Sequence, residues 1–377
     1  MNRSVLLHMV ERLEALLGRL PGRIEKPVRA ELSPLKELFL QQRPPRFLLA
    51  GSERLPLPRL VSVLFNGETA EDSRHILFEI FRWQTLEIKD RGAIAVLDAR
   101  GADDLAEQSI REELRRQPAD AVLIVSDAEE GRTKVKASAE NGRACVQWND
   151  ETPRKAGIVA IHFQARPDHN GHASDHWSRH IQPQLHGRVW GGFEYSGTPE
   201  SVQADRATAE QFLALLAAKL PNECRVEMVR ISRNREAQRE VARLLIKSTT
   251  AVCTAIGAQP IPLADLPILT ALQLAMVSGV MYVSGRERSM RAATEFVGAV
   301  GANVGAGMLL REGARAMLKF FPGWGNVVCG MVAGAGTYAI GHAASAYFLE
   351  GVTLREARRM YLHTRKRKKK TEPLQLK

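Results

Sequence analysis

Apolar and polar positions follow different rhythms in different parts of the chain. Near the start, Val5, Leu6, Met9, Leu13, Leu16 and Leu17 recur at helical spacing, with Glu11, Arg12 and Glu14 between them. This predicts an amphipathic helix that stops at Pro21-Gly22. A second helix is expected over 34–42, closed by Pro44-Pro45. From Arg46 the rhythm changes to short apolar runs. Those at 46–50, 85–89, 93–98, 121–126, 157–163 and 225–231 read as strands. Residues 60–65, 104–116 and 204–219 between them read as helices. Apolar strands separated by helices predict an open, mostly parallel α/β sheet.

From Asn234 onward the pattern is helical only. Residues 236–257 form a charged, then apolar helix. Uncharged stretches follow: 20 residues at 266–285, 15 at 296–310 and 30 at 320–349. Glycines recur in them, at Gly301 and Gly305 and at Gly330 and Gly334. Two readings stay open. Stretches of about 20 uncharged residues reach the length needed to span a bilayer, and G-x-x-x-G steps suit close helix contact there. Alternatively, Gly and Ala pack a soluble bundle, with Pro267, Gln273 and Asn326 lowering the hydropathy.

Length and composition fit this division. A chain of 377 residues accommodates two domains and a helical arm, and 45% hydrophobic with 25% charged residues is ordinary for a globular protein. Cys145, Cys224, Cys253 and Cys329 lack metal or redox spacing, which predicts a reducing compartment. The opening residues mix charge into every turn, so no secretory leader is expected. The net charge of +11 is uneven: from Arg355 to the end, ten Lys or Arg face two Glu, leaving +3 for residues 1–354. The basic character belongs to a tail, which centres on Arg365, Lys366, Arg367, Lys368, Lys369 and Lys370. Such a cluster beside an apolar domain attracts anionic lipid and favours the cytoplasmic side. Nucleic acid is the rival partner, but only Tyr361 lies near the run, so aromatic stacking is not offered.

Candidate chemistry gathers at 46–68, RFLLAGSERLPLPRLVSVLFNGE, which has the outline of a strand, a phosphate loop and a helix. Counting G-x-x-x-x-G-K-[ST] from Gly51 puts Pro56, Leu57 and Pro58 where Gly, Lys and Ser or Thr belong. Two prolines remove N–H donors, leucine brings no charge, and Pro58 offers no oxygen to a metal. Downstream, Asp98 and Gly101 form an Asp-x-x-Gly turn after a strand.

These segments resemble the Era-like GTPases that carry a C-terminal Gly-rich helical domain of unknown function. The resemblance covers nearly the whole chain after residue 45. FLLAGS, RLVSVLFNGE, AVLDARG and DAVLIVSDAEE fall in the order of a G domain. IPLADLPILTALQLAMVSGV and PGWGNVVCGMVAGAGTYAIGHAASAYF are similar to the helical domain's pattern. The resemblance implies an α/β, P-loop GTPase-like mostly parallel sheet followed by a C-terminal all-α domain. Between the helical arm read at 1–45 and the basic tail at 355–377, it implies a degenerate GTPase-like domain at 46–231 and a helical domain at 232–354. Gly51, Pro56, Leu57, Pro58, Asp98 and Gly101 would be a vestigial nucleotide site. The guanine-selecting Asn-Lys pair is missing from IVAIHFQARPD, where Asp168 is at most a displaced remnant. Thr69 and Thr85 are weak stand-ins for a switch threonine.

The expectation is a membrane-associated pseudo-GTPase without a cofactor, which acts on a protein partner or on itself at the inner face of a membrane or inserted in it. The alternative is an atypical GTP hydrolase using GTP and magnesium, in which Arg54 or Arg59 replaces the lysine and Asp98 holds the metal through water. A soluble scaffold with a nucleic-acid-contacting tail is the third reading. Six histidines lie between 162 and 186, and His172, His176 and His180 share the i, i+4, i+8 spacing of a helical metal face. With Pro167, Gly171 and Pro183 in the stretch, a solvated His-rich loop is the reading adopted.

Overall fold

The computed structural model describes residues 26, 29–30, 32–33, 35, 37–38, 41–67, 81–103, 105–127, 132–164, 188–196, 206–258, 266–301 and 324–370. The chain divides into two units, Arg43–Asn234 and one that joins Met1–Gln42 to Arg235–Lys377.

The first unit is built on six strands: β1 (Arg46–Gly51), β2 (Trp83–Ile88), β3 (Gly92–Asp98), β4 (Ala121–Asp127), β5 (Gly157–Gln164) and β6 (Val189–Ser196). Their order is β2-β3-β1-β4-β5-β6, and only β2 runs antiparallel to its neighbour. The central strands are apolar on both faces because helices cover both. In β1, Phe47, Leu48, Leu49 and Ala50 are all buried. Leu48 and Ala50 join Leu97, Val122, Ile124, Ile158 and Ala160 in a cluster with α2 (Glu107–Arg116) and α3 (Arg132–Asp150). Phe47 points the other way, as strand alternation requires. It meets Phe65 of α1 (Leu57–Phe65) at 5.6 Å, and Phe65 meets Phe212 of α4 (Arg206–Lys219) at 5.9 Å.

The mostly parallel α/β sheet and the helical C-terminal region match the expectation from the sequence. Particular elements do not. Residues 225–231 read as a strand, yet they lie in helix α5 (Asn222–Ser232), which Pro221 caps. Cys224, Met228 and Ile231 are buried at i, i+4 and i+7, and Val226 and Val229 are buried beside them. Burial on so many sides hides the helical period behind apparent alternation. Helix α3 and strand β6 go unpredicted. The described part of α3 buries a sparse set, Ala139, Cys145, Val146 and Trp148, and β6 carries the Gly191-Gly192 pair that reads as a turn.

The second unit contains α6 (Arg235–Gly257), α7 (Leu266–Val283), α8 (Met290–Gly301), α9 (Trp324–Leu349) and α10 (Leu354–Lys370). Ala242, Ile246, Met276, Val280, Phe296, Ile340 and Tyr361 share its core. Glycine brings α9 against α6: a Cβ on Gly334 would lie 2.1 Å from Thr254 Oγ1. Gln273 Nε2 donates to Thr337 Oγ1 at 2.9 Å, and that hydroxyl donates to Ala333 O at 2.9 Å, so this bundle also contains a satisfied polar link. The stretch expected as a tail starts as a capped helix. The Thr353 N–H donates to Glu356 Oε2 at 2.9 Å, and Ala357 and Tyr361 are buried. Among the described residues, no helix is long and apolar enough to cross a membrane.

Candidate functional site

In an open α/β sheet, ligands bind beyond the carboxyl ends of the strands, where successive crossovers leave toward opposite faces. Here that point is the end of β1. Helix α1 leaves β1 on the Phe47 face, whereas α2 and α3, which follow β3 and β4, cover the Leu48 face. The residues named from the sequence as a candidate nucleotide site meet at this edge.

Gly51 ends β1 at φ +94°, and a Cβ there would lie 2.1 Å from Val125 O, so the chain passes tightly over β4. The Gly51 N–H donates to Asn141 Oδ1 at 2.8 Å, and Asn141 Nδ2 donates to Ala99 O at 3.0 Å. One α3 side chain thus ties together the exits of β1 and β3. The Ser52 N–H donates to Val125 O at 2.9 Å. Pro56 is the N-cap of α1, Leu57 its first residue, and Pro58 lies in the first turn. Proline is well tolerated at the start of a helix because those N–H groups have no intrahelical acceptor. They are also the groups a phosphate would use. Leu57 is buried, so its side chain belongs to the core.

Arg100, a residue within the Asp-x-x-Gly turn itself, fills the centre of the site. Its Nε and Nη2 donate to the two oxygens of Asp98, each at 2.8 Å. Its Nη1 donates to Leu55 O at 2.7 Å and reaches Ser52 O at 3.5 Å. The guanidinium side chain is 3% exposed and the Asp98 side chain 29%. A phosphate loop turns successive N–H groups toward an anion. This loop turns two carbonyls toward a cation supplied by its own protein. Gly101, at φ +64°, lies so close to Glu53 that a Cβ would sit 2.3 Å from its carboxylate.

Beside it, Arg54 Nη1 pairs with buried Asp127 at 3.1 Å. Across β4 and β5, Ser126 Oγ and His162 Nδ1 hydrogen-bond each other. Burial pushes the His162 pKa down to about 4, so its ring is neutral at pH 7.

The structure therefore brings Gly51, Pro56, Leu57, Pro58, Asp98 and Gly101 to one edge. It also adds Arg100, Asn141 and the Arg54–Asp127 pair, which motif reading overlooks. Thr85 is exposed on β2 and pairs with Ala95. Thr69, Asp168, His172, His176 and His180 lie outside the described residues. Arg365, Lys366, Arg367, Lys368, Lys369 and Lys370 form the last turns of α10. Among the described residues, no group of three or more His, Cys, Asp or Glu could hold a metal ion.

The first unit is thus a doubly wound α/β sheet with an internally occupied switch-point crevice, accompanied by a helical unit. No protein-family model matches the chain, and no curated protein matches it in sequence.

Proposed function

We propose that the protein is a GTPase-like scaffold or regulator that does not hydrolyse GTP, with its old phosphate site plugged by Arg100. The single observation behind this reading is the bidentate Arg100–Asp98 pair anchored on Leu55 O. In the GTPases that the sequence resembles, the aspartate of this turn serves the metal and the loop serves the phosphates. Here Asp98 is neutralised by an internal guanidinium, and the loop presents carbonyl oxygens. That arrangement disfavours the alternative in which Asp98 holds magnesium through water. Arg54, the substitute lysine of that alternative, is paired with Asp127.

The protein acts by binding partners, including a protein or a second copy of itself. It associates with the cytoplasmic face of a membrane through α10, whose basic end attracts anionic headgroups by about 1 kcal/mol per residue near the surface.

Thermal unfolding with and without GTP, GDP or ATP, each with magnesium, tests the plugged site. A ligand a hundredfold above its Kd would add about 2.7 kcal/mol to stability. At millimolar nucleotide no shift is expected, and a shift with GTP but not ATP restores the GTP-binding reading. Co-sedimentation with anionic vesicles tests the membrane role. Replacing 365–370 by glutamine should abolish a salt-sensitive association, and retention of RNA rather than vesicles by that segment would favour the nucleic-acid reading.

A further inference from the structure

Helix α10 carries nine Lys or Arg and a single acidic residue, Glu356. Glu356 is engaged at the helix start, where it accepts from the Thr353 N–H at 2.9 Å and from the Thr353 hydroxyl at 2.8 Å. The first turns sort their side chains into rows. Ala357 and Tyr361, one turn apart, are buried in the bundle core with Phe296 and Ile340. Leu354, Arg358 and Leu362 form the neighbouring row at i, i+4 and i+8, and Arg355 and Arg359 the row beyond it. Leu354 is 39% exposed and Leu362 40%. Among the described residues, four large hydrophobic side chains are this exposed, and two of them stand in this one row. Neither Arg355 nor Arg358 makes an ion pair among the described residues.

A lone exposed leucine is ordinary on a protein surface. Two in one row, beside arginines without counter-charges, suit a partner that offers both anions and an apolar layer. A protein groove that wraps a helix would have to strip Ala357 and Tyr361 out of the core. A flat surface needs only the outer rows. The interface of an anionic bilayer is such a surface. Its headgroups meet guanidinium groups, and leucine reaches the acyl boundary beneath them, while the long arginine stems let the charges stay at headgroup level.

We infer that α10 lies in the plane of an anionic bilayer interface, with Leu354 and Leu362 inserted at the acyl boundary and Arg355, Arg358 and Arg359 on the headgroups. The inference rests on the membrane association proposed above. It adds that the contact begins at the first turn of the helix, and that apolar insertion contributes beside the charge attraction of 365–370.

Flotation of the full chain on phosphatidylcholine vesicles, with and without phosphatidylserine, tests the inference at low salt. Wild type should bind the vesicles that contain phosphatidylserine. Leu362→Gln should weaken that binding about fivefold, since a partly exposed leucine gains only part of its full burial energy. Its melting temperature should stay near wild type, because the position is exposed. A depth readout is independent of affinity: Leu362→Trp should gain fluorescence that vesicles with brominated acyl chains quench, relative to wild type. If wild type binds, 365–370 replaced by glutamine does not, and Leu362→Gln binds as wild type, the membrane reading stands and the insertion is overturned. Bound Leu362→Trp without added quenching overturns it as well. If wild type binds no vesicles, both fall, and the exposed row belongs to a protein partner instead.

Discussion

Replacing Arg100 by methionine keeps most of the side chain's bulk and removes its charge and donors. Asp98 then loses two charge-assisted hydrogen bonds, and Leu55 O loses its donor. Removing one member of a fully buried ion pair costs about 3–5 kcal/mol. The Asp98 side chain is 29% exposed, so water partly re-solvates the orphaned carboxylate and lowers the cost to about 2–4 kcal/mol. For a unit of this size, such a loss lowers the melting temperature by about 4–16 °C. Urea unfolding followed by tryptophan fluorescence is a suitable assay, because Trp83, Trp148, Trp177 and Trp190 lie within residues 43–234. The partner variant Asp98→Asn should also destabilise, by leaving the buried guanidinium without its counter-charge. The double variant should cost less than the sum of the singles, with a coupling of about 1–3 kcal/mol. Nucleotide should still cause no shift in Arg100→Met, since Leu57 and Pro58 continue to lack the lysine and hydroxyl. If Arg100→Met unfolds within about 0.5 kcal/mol of wild type, as an ordinary surface change would, the internal-plug reasoning is refuted.

His162 is neutral in the fold, with a pKa of about 4 against 6.5. Its contribution is therefore present above pH 6.5 and is lost as pH falls toward 4, by at most about 3 kcal/mol; His162→Gln should flatten stability across that window. Asp120 has a carboxyl that burial would raise, but Arg43, the Arg46 N–H and Arg154 hold it below the usual range. That stability is present above about pH 4 and is lost as pH falls through the lower folded value. Asp120→Ala should cost about 3–5 kcal/mol at pH 7, and urea titrations at neutral and acid pH should show the difference from wild type shrinking in acid. In the bundle, Gly334→Val should lower the melting temperature by several degrees because its Cβ collides with Thr254, whereas Gly336→Ala, with open space, should gain about 0.5–1 kcal/mol.

The frame of the site was legible because it depends on local pattern. An apolar run, a glycine and an apolar helix predict β1, its turn and α1, and an Asp-x-x-Gly after an apolar run marks the β3 exit. The plug was less legible. Arg100 stands in plain view between Asp98 and Gly101, but its role depends on Leu55 O, 45 residues away. Asn141 is 90 residues from Gly51, on a helix whose few buried residues give little periodic signal. Gly191-Gly192 obscured β6 because glycine signals a turn wherever tertiary pairing does not override it.

The same separation holds for the sheet, whose fastening does not pass through this edge. The sheet is fastened at its other end by buried Asp120, which accepts from Arg43 at 2.6 Å, from the Arg46 N–H at 2.9 Å and from Arg154 at 2.8 Å. Arg154 also binds Glu223 on α5 at 3.0 Å, so β1, β4, the approach to β5 and α5 are joined without any contribution from the β1–α1 loop. In a working site, the carboxylate at the β3 exit and the loop are satisfied by a metal and by phosphates that come and go. On the proposed reading, leucine and prolines at the start of α1 leave Asp98 and the loop carbonyls in need of a permanent partner. Arg100 supplies one cation to Asp98 and to the loop carbonyls together. The reading proposed above then requires that stability not depend on nucleotide and that the exit loops keep a fixed shape a partner could recognise.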